Sequence, residues 1–137
     1  MARQVGAKVH ADRLRRLSGP RVKSAVLKAS FAAGTLIAEF AKSSIIAGGV
    51  SGSDHVPSEP GQPPNANTHT LDQSILVIPI PATLGASVIA TAPYAAALEF
   101  GTSTVVERPF MRPASQAMRP AARRLVAAAI HAVNKGV

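Results

Sequence analysis

The chain contains no cysteine and no tryptophan, and its aromatic content is only 4%. Without cysteine, neither a disulfide framework nor a metal site with thiolate ligands is possible. No apolar run approaches the roughly 20 residues that a membrane-spanning helix needs, and no apolar stretch of signal-peptide type follows the basic N-terminus. We therefore expect neither a membrane partner nor a secretory signal.

Acidic residues are also scarce, because seven stand against 15 lysines and arginines and leave a formal net charge of +8. A balance this basic suggests a polyanion as a neighbour, with nucleic acid as the first candidate. The length of 137 residues suits one domain with a modest core. Since much of the 47% apolar content is alanine, we expect a thin core that a partner surface helps to complete.

Enzyme chemistry has little support in this sequence. The seven acids are scattered, the four histidines fall in predicted tails or loops, and no glycine-rich phosphate loop follows a predicted strand. Asp54, His55 and His69 do not have the spacing of a common metal site. We expect no catalytic residue, no bound metal and no cofactor.

Residues 1–20 form a predicted basic arm, which a Ser-Gly-Pro break separates from a single predicted domain over residues 21–134; residues 135–137 form a tail end. Arg13, Arg15 and Arg16 supply part of the arm's charge. Two interpretations stay open for the arm. It is either a solvated, partly helical tail or a segment that contacts DNA or an acidic protein surface without sequence specificity.

The most strongly patterned helix covers residues 21–47. Its apolar residues recur at spacings of three and four, which predicts one buried stripe. The members of that stripe are Val22, Val26, Ala29, Ala33, Leu36, Ile37 and Phe40. Gly34 lowers helix preference and so indicates a close contact with another element, and Gly48 and Gly49 end the helix.

Residues 48–73 have no hydrophobic period and are rich in glycine, proline, serine and asparagine. Pro57, Pro60, Pro63 and Pro64 favour a stiff extended geometry. A loop of this length in a small domain is uncommon. It is either a stiff arm that lies along a neighbouring subunit or a disordered segment.

Residues 74–92 predict a β-hairpin whose first strand, over residues 75–80, is apolar on both faces. Pro79 cannot donate a hydrogen bond to a sheet, so this strand should lie at a sheet edge. An exposed apolar edge normally invites aggregation, but in an assembling protein it can be a docking edge.

The most definite local pattern is YAAALEFGTSTVVERPFMRP at residues 94–113. It predicts a short helix anchored in the core by Tyr94 and Phe100, a left-handed glycine cap at Gly101, an extended arm from Thr102 and a second helix start. Phe110 lies between Pro109 and Pro113 and forms a rigid knob. It fills a pocket on an adjacent subunit or in the domain's own core.

Glu99 stands beside an apolar stretch in a chain with few acids, so we expect it to pair with a base. Arg108 is the nearest candidate, and the pair either locks the arm within one chain or joins two subunits. Arg112, Arg119 and Arg123 have helical spacing on the last helix and form a basic face, which is either solvated or in contact with DNA or an acidic ring. The predicted apolar stripe of that helix is Ala114, Met118, Ala121, Leu125, Ala128 and Ala132.

Three segments of the chain resemble the neck, or head–tail joining, protein family of long-tailed double-stranded-DNA phages. They are YAAALEFGT at residues 94–102, RPFMRPA at residues 108–114, and SEPGQPP at residues 58–64 followed by Leu71 and Ser74-Ile75. The first two blocks, in this order and at this separation, are the most specific part. His69-Thr70 departs from the pattern, since family members often carry Thr-Gly there. The basic N-terminal arm lies outside it.

The resemblance implies a small α+β subunit in which a long N-terminal helix and a C-terminal helix pack on a short antiparallel sheet. Such subunits form a ring without enzymatic activity, expected to be a hexamer. The ring lies in the virion neck between the head-closure ring and the tail, around the channel for packaged DNA, after assembly in the host cytoplasm. A tail-terminator ring is the close alternative, and a basic DNA-binding protein is a more distant one.

With a ring as the expected assembly, nine residues are candidates for its subunit interface. They come from the proline-rich loop and from the segment around Glu99 and Phe110. The nine are Pro60, Pro63, Pro64, Glu99, Thr102, Arg108, Pro109, Phe110 and Arg112. Arg13, Arg15, Arg16, Arg119 and Arg123 are the candidates for contact with DNA or an acidic partner.

Overall fold

A computed structural model describes residues 5–49 and 52–135. The first four residues of the predicted arm, two residues of the predicted loop (50 and 51) and the last two of the tail end lie outside the described residues. The fold class is α+β, as predicted, with a long N-terminal helix and a C-terminal helix packed on a two-stranded antiparallel sheet.

The N-terminal half consists of helix α1 (Val5–Ser18) and helix α2 (Pro20–Ile46). Gly19 between them is extended, and Pro20 takes the first position of α2, where its missing N–H has no intrahelical partner to lose. The described part of the predicted arm is therefore mostly helical. Helix α1 packs against α2 and against the C-terminal helix.

The long loop holds one turn of 3-10 helix (Gly52–Asp54) and the short helix α3 (Thr70–Gln73). His69, directly before α3, has a left-handed backbone with φ of 60°. That conformation favours glycine, so the departure from the family pattern noted at His69-Thr70 falls on a turn with an unusual backbone.

The predicted hairpin is formed by β1 (Ile75–Ile80) and β2 (Gly85–Ala90), which pair antiparallel with Val77 opposite Val88. A 3-10 turn (Pro81–Thr83) and a left-handed Leu84 connect the strands. The Oγ of Ser30 in α2 donates a hydrogen bond of 2.8 Å to the Leu84 carbonyl oxygen. This bond fixes the tip of the hairpin to the middle of α2.

The hairpin packs closely on α2 at Gly34, as the sequence predicted. A Cβ atom at Gly34 would lie 2.9 Å from Cγ1 of Val77 and 3.4 Å from Cγ2 of Val88. Glycine is needed here because no side chain fits between the helix and the sheet. By strand alternation, Ile75 shares the face of Val77 and is buried, whereas Leu76 points to the opposite face and is exposed.

The C-terminal part consists of the short helix α4 (Ala95–Phe100) and the long helix α5 (Met111–Asn134), which packs along α2. Gly101 after α4 has φ of 74° but ψ of 171°. The positive φ matches the predicted glycine cap, whereas the extended ψ does not match a left-handed helical residue. Side chains at this position would meet the backbone of Val105 and Glu107 at about 3 Å.

The core is built mainly from small side chains. Among the described residues, twelve apolar residues are buried and seven of them are alanines. The large members are Phe110, Ile45 and Ile75. The predicted alanine-rich, thin core is therefore present.

The predicted helix faces are partly wrong. In α2 the buried side includes Ala38, Ala41 and Ile45, while Leu36 and Phe40 of the predicted stripe are exposed. In α5 the predicted Ala128 and Ala132 are exposed as well. In α2 the buried face is rotated toward Ala38, Ala41 and Ile45, whereas in α5 the first residue of the predicted stripe, Ala114, is buried and only the C-terminal part of the stripe is exposed. Periodicity alone does not separate alanine from larger apolar residues.

Helix α2 is also long and apolar enough to cross a membrane by the criteria of length and mean hydropathy, with a mean hydropathy of 1.3 over its most apolar window. The expectation that no segment approaches this threshold is wrong by these criteria. Helix α2 packs against both strands and α5, but only 28% of its most apolar window is buried.

Candidate interaction surfaces

The carboxylate of Glu99, in the last turn of α4, caps the start of α5. Its two oxygens accept hydrogen bonds from the backbone N–H groups of Phe110 (2.9 Å), Met111 (3.0 Å) and Arg112 (2.9 Å). The first N–H groups of a helix have no partner within the helix, and the helix dipole favours a negative charge at this end. Glu99 therefore joins two helices through backbone groups and is itself buried.

Arg112 is the base that pairs with Glu99, and the prediction of Arg108 is wrong. The Arg112 Nε lies 3.1 Å from a Glu99 oxygen, and its terminal nitrogen donates to the Glu99 carbonyl oxygen (2.8 Å) and to Glu107 (3.0 Å). Its guanidinium also lies over the Phe100 ring, 5.6 Å from the ring centre. Because all these partners belong to one chain, the pair locks the segment internally.

Burial and hydrogen bonding act on Glu99 in opposite directions. Burial alone would raise the pKa of Glu99, but the bonds from the Met111, Phe110 and Arg112 N–H groups and from the Arg112 side chain outweigh burial and lower the pKa below its usual value. The pKa of Arg112 is raised by its bonds to Glu107 and Glu99. Both groups are charged at neutral pH.

Arg108 serves a different purpose, which is to hold the long loop. Its backbone N–H donates to the Leu98 carbonyl oxygen, and its Nε donates to the Ser58 carbonyl oxygen at 3.1 Å. The Gly61 N–H donates to the Glu107 carbonyl oxygen at 3.0 Å. The loop is thereby fixed to the segment that follows α4.

The proline-rich loop folds back on its own chain instead of extending as a separate arm. Pro64 is buried, the Asn65 side chain donates to the Val56 carbonyl oxygen (2.8 Å), and the Ala66 N–H donates to the Ile45 carbonyl oxygen (3.0 Å). The prediction of a stiff arm missed these contacts because they join residues far apart in sequence, and proline content reports only local stiffness.

The predicted extended arm after Gly101 is a compact turn. The Thr102 N–H donates to the Val105 carbonyl oxygen at 2.8 Å, and its Oγ1 accepts the N–H of Val105 at 3.0 Å. The β-branched run suggested an extended segment, but threonine hydroxyls also bond to nearby backbone N–H groups and close turns. The bonds of Thr102 close the turn here.

The predictions for Tyr94 and Phe100 are wrong, and the structure decides between the two alternatives for Phe110. Tyr94 and Phe100 do not anchor α4 in the core, since they are 44% and 69% exposed. Phe110 is only 1% exposed and belongs to the core together with Ala114 and Ile45. Of the two alternatives left open for Phe110, the structure therefore shows the pocket in its own chain.

The nine residues predicted for a subunit interface thus differ in exposure. Pro64, Glu99 and Phe110 are buried in the chain and cannot face a neighbour in this conformation, because their contacts are already made internally. Pro63, Arg108 and Pro109 are half-buried, and Pro60, Thr102 and Arg112 are exposed.

A pocket of about 490 Å³ lies between the long loop and α4. The Oδ1 atom of the buried Asp72 lies 3.4 Å from Nδ1 of His69 at its wall. Ser58 also lines the pocket, but its Oγ has no hydrogen-bond partner, so it is not paired with a histidine base as a nucleophilic serine would be. Over residues 5–49 and 52–135, no group of three or more histidine or acidic side chains is arranged to hold a metal ion.

The predicted basic residues are exposed but lie in two places. Arg13, Arg15 and Arg16 are on α1, and Arg15 and Arg16 share a shallow pocket with Val133 near the end of α5. Arg123 and Arg119 are exposed about 15 and 21 Å further back along α5, at 1.5 Å per helical residue. Of the five predicted contact residues, three therefore lie on α1 and two on α5.

Sequence reasoning missed the role of Arg112 as the partner of Glu99 and the burial of Asp72. Glu99 lies eleven residues before Phe110, outside the N-cap to N3 positions that a capping signal occupies in sequence, so no local signal pointed to residues 110–112. A scan of the chain against protein-family models, curated proteins and solved structures gives no match in any of the three comparisons, so the family resemblance stands on the motifs alone.

Proposed function

We propose that this chain is a structural subunit of a ring in the head–tail connector, or neck, of a long-tailed double-stranded-DNA phage. The ring joins the head-closure ring to the tail and surrounds the channel through which DNA leaves. The observation that carries the proposal is that the three segments with family resemblance pack together. The first two are neighbours in sequence, at residues 94–102 and 108–114, and the third, at residues 58–64, joins them in the fold.

The connections are specific hydrogen bonds. Glu99 of the first block binds the backbone of Phe110 and Arg112 in the second block, at 2.9 Å in each case. Arg108 of the second block binds Ser58 of the loop block at 3.1 Å. The contact between Arg108 and Ser58 is the informative one, because 50 residues separate the two, whereas the first two blocks are neighbours in sequence and would lie close together in most folds.

The surface of the chain supports assembly. Many large apolar side chains are exposed in the single chain, among them Leu76, Ile78 and Phe40. A small protein with a thin core and exposed apolar rows gains stability when copies associate. The exposed arginines fit a position beside DNA or acidic rings, and we expect part of this charge to face protein, because a strongly basic channel would retain DNA through many phosphate contacts.

A second candidate function is a basic DNA-binding protein. The observation in its favour is the exposure of Arg13 and Arg16 on α1 and of Arg119 and Arg123 on α5. Such a protein binds DNA as a monomer or dimer, with an affinity that falls steeply as salt increases.

One pair of measurements separates the two candidates. Native mass spectrometry over a range of protein concentrations, with negative-stain electron microscopy of the largest species, is expected to give a closed ring of a single stoichiometry. Titration of a short DNA duplex with the protein at low and physiological salt measures DNA affinity. A chain that remains monomeric at every concentration and binds DNA tightly contradicts the connector proposal.

A further inference from the structure

We propose that the β1–β2 hairpin is the surface through which one copy of this chain binds the next copy, and this rests on the ring function proposed above. The first observation is a long segment without charged residues. Residues 73–98, which contain the whole hairpin, hold no aspartate, glutamate, lysine or arginine, in a chain with 22 charged residues overall (15 basic and 7 acidic).

The second observation is an uncovered apolar row. Leu76, Ile78 and Ile80 alternate along β1 on the face opposite α2 and are 47%, 43% and 38% exposed. Helix α2 packs on the other face, where Gly34 contacts Val77. Exposure of three large aliphatic side chains to water on an open sheet face is unfavourable, so this row favours contact with another apolar surface.

The third observation concerns the edges of the sheet. Within the described residues the sheet has two strands only, so the outer edge of each is unpaired. Exposed edges are usually protected by lysine or other charged residues, and this hairpin has none, with Pro79 as its single blocking residue. Beside β2, two mainly apolar grooves of about 620 and 550 Å³ share Val88 in their walls. Glu99 and Arg112 line the first groove and Arg123 lines the second, all on α4 or α5 and none on the hairpin strands.

These features indicate that the hairpin binds a second copy of the chain. Two copies with a charge of +8 each repel one another over most of their surfaces. The hairpin is the region where they approach without like charges facing each other. The hairpin itself offers no cation to DNA or an acidic protein, since Arg112 and Arg123 lie on α5 at the other walls of the grooves.

The two sides of the hairpin also differ, which determines the kind of contact. One side presents the row of Leu76, Ile78 and Ile80 on β1, and the other presents the open edge and grooves of β2. A contact between two different surfaces is head-to-tail, and head-to-tail contacts produce closed rings when the rotation closes. Each copy therefore offers β1 to one neighbour and β2 to the other.

The test compares two leucine substitutions that add the same charge. Leu76→Lys places a lysine in the exposed row, and Leu14→Lys places one at a similarly exposed leucine on α1 (55% exposed). Sedimentation velocity over a concentration series measures association, and circular dichroism measures folding. We expect Leu76→Lys to weaken self-association by about tenfold or more. The Leu14→Lys chain should associate about as strongly as the unchanged chain.

Mixing tests the head-to-tail arrangement. The Leu76→Lys chain keeps an intact β2 side, so it should add to one end of an unchanged oligomer and prevent ring closure when mixed in equal amount. If Leu76→Lys fails to fold, Ile78→Thr replaces it, because threonine retains β-branching and adds no charge. Its expected effect is a smaller loss of association.

The outcomes separate this inference from the ring function. If the unchanged chain forms rings and folded Leu76→Lys or Ile78→Thr chains form them equally well, the hairpin is not the contact, and the ring function stands. If the unchanged chain is monomeric at all concentrations, both the ring function and the hairpin contact are wrong.

Discussion

At the scale of single residues, Glu99 connects more of the chain than any other acidic side chain in the described structure. It accepts three backbone hydrogen bonds from the start of α5 and pairs with Arg112. Its carboxylate thereby fixes the direction in which α5 leaves the turn. The direction of α5 in turn determines how this helix packs along α2.

Glu99→Gln should lower the free energy of unfolding by about 1 to 3 kcal/mol at neutral pH, because an amide cannot accept bonds from all these donors and leaves buried N–H groups unpaired. The control is Glu39→Gln, whose exposed pair with Lys42 spans 3.7 Å and should contribute less than about 1 kcal/mol. Urea unfolding of the three proteins measures the difference.

The difference in stability between the unchanged chain and Glu99→Gln should depend on pH. Since the folded-state pKa of Glu99 is lowered, its stabilising effect is fully present above the unfolded-state pKa and is lost as pH falls through the folded-state pKa. The gap between the unchanged chain and Glu99→Gln should therefore begin to narrow below about pH 4.3, the ordinary pKa of glutamate, and should close only at lower pH. A gap that stays constant from neutral to acidic pH contradicts the proposed role of the charge.

Phe110→Ala should destabilise the single chain by about 3 to 5 kcal/mol, because it empties the centre of the core. Phe100→Ala removes the same phenyl ring from a residue that is 69% exposed, so it should have a much smaller effect on stability. Thermal unfolding under dilute conditions compares the two. If both substitutions have equal effects, Phe110 is not the core residue described above.

The sequence predicted the importance of this segment but not its pairings. Glu99 was recognisable as an unusual acid and Phe110 as a rigid aromatic residue between prolines. The choice between Arg108 and Arg112 depends on where the backbone of residues 101–108 turns, and that turn depends on threonine hydroxyl bonds which local propensity does not rank. Side-chain type indicated which residues matter, whereas tertiary geometry determined their partners.

At the scale of elements, the close contact of α2 with the hairpin gives a test. Gly34→Ala gains up to about 1 kcal/mol of helix preference but forces Val77 to move, at a cost of about 1 to 3 kcal/mol. We expect a net loss of stability. The matched control is Gly6→Ala in α1, where nothing lies within 4 Å of the added methyl group and stability should stay equal or rise. A stabilised Gly34→Ala chain contradicts the close contact.

The elements themselves were largely predictable, since α2, the hairpin and α5 follow from periodicity, β-branched runs and glycine or proline boundaries. The long loop was not, because it is held by Arg108 and by backbone bonds to Ile45 and Glu107 that local composition does not encode. The buried face of α2 was also misplaced, and the predicted stripe of α5 holds only in its N-terminal part. Ala38 and Ala41 lie on the buried face of α2, and small residues give a weak periodic signal.

At the scale of the whole molecule, salt should act in opposite directions on the two candidate activities. Association through the uncharged hairpin becomes stronger as salt increases, because salt screens the repulsion between copies that each carry +8. DNA binding becomes weaker over the same range. Sedimentation and DNA titration at about 0.05 and 0.5 M salt measure both. Self-association that weakens with salt contradicts an uncharged contact.

The alanine-rich core has a consequence for how this protein melts. Seven of the twelve buried apolar residues in the described part of the chain contribute only a methyl group each, so the isolated chain has a small core. In the proposed ring, the surface covered between copies would add to the stability of each copy. Folding and association are then linked by mass action. The melting temperature should rise when the protein concentration is raised, and a subunit too dilute to find its neighbours should be the first to unfold.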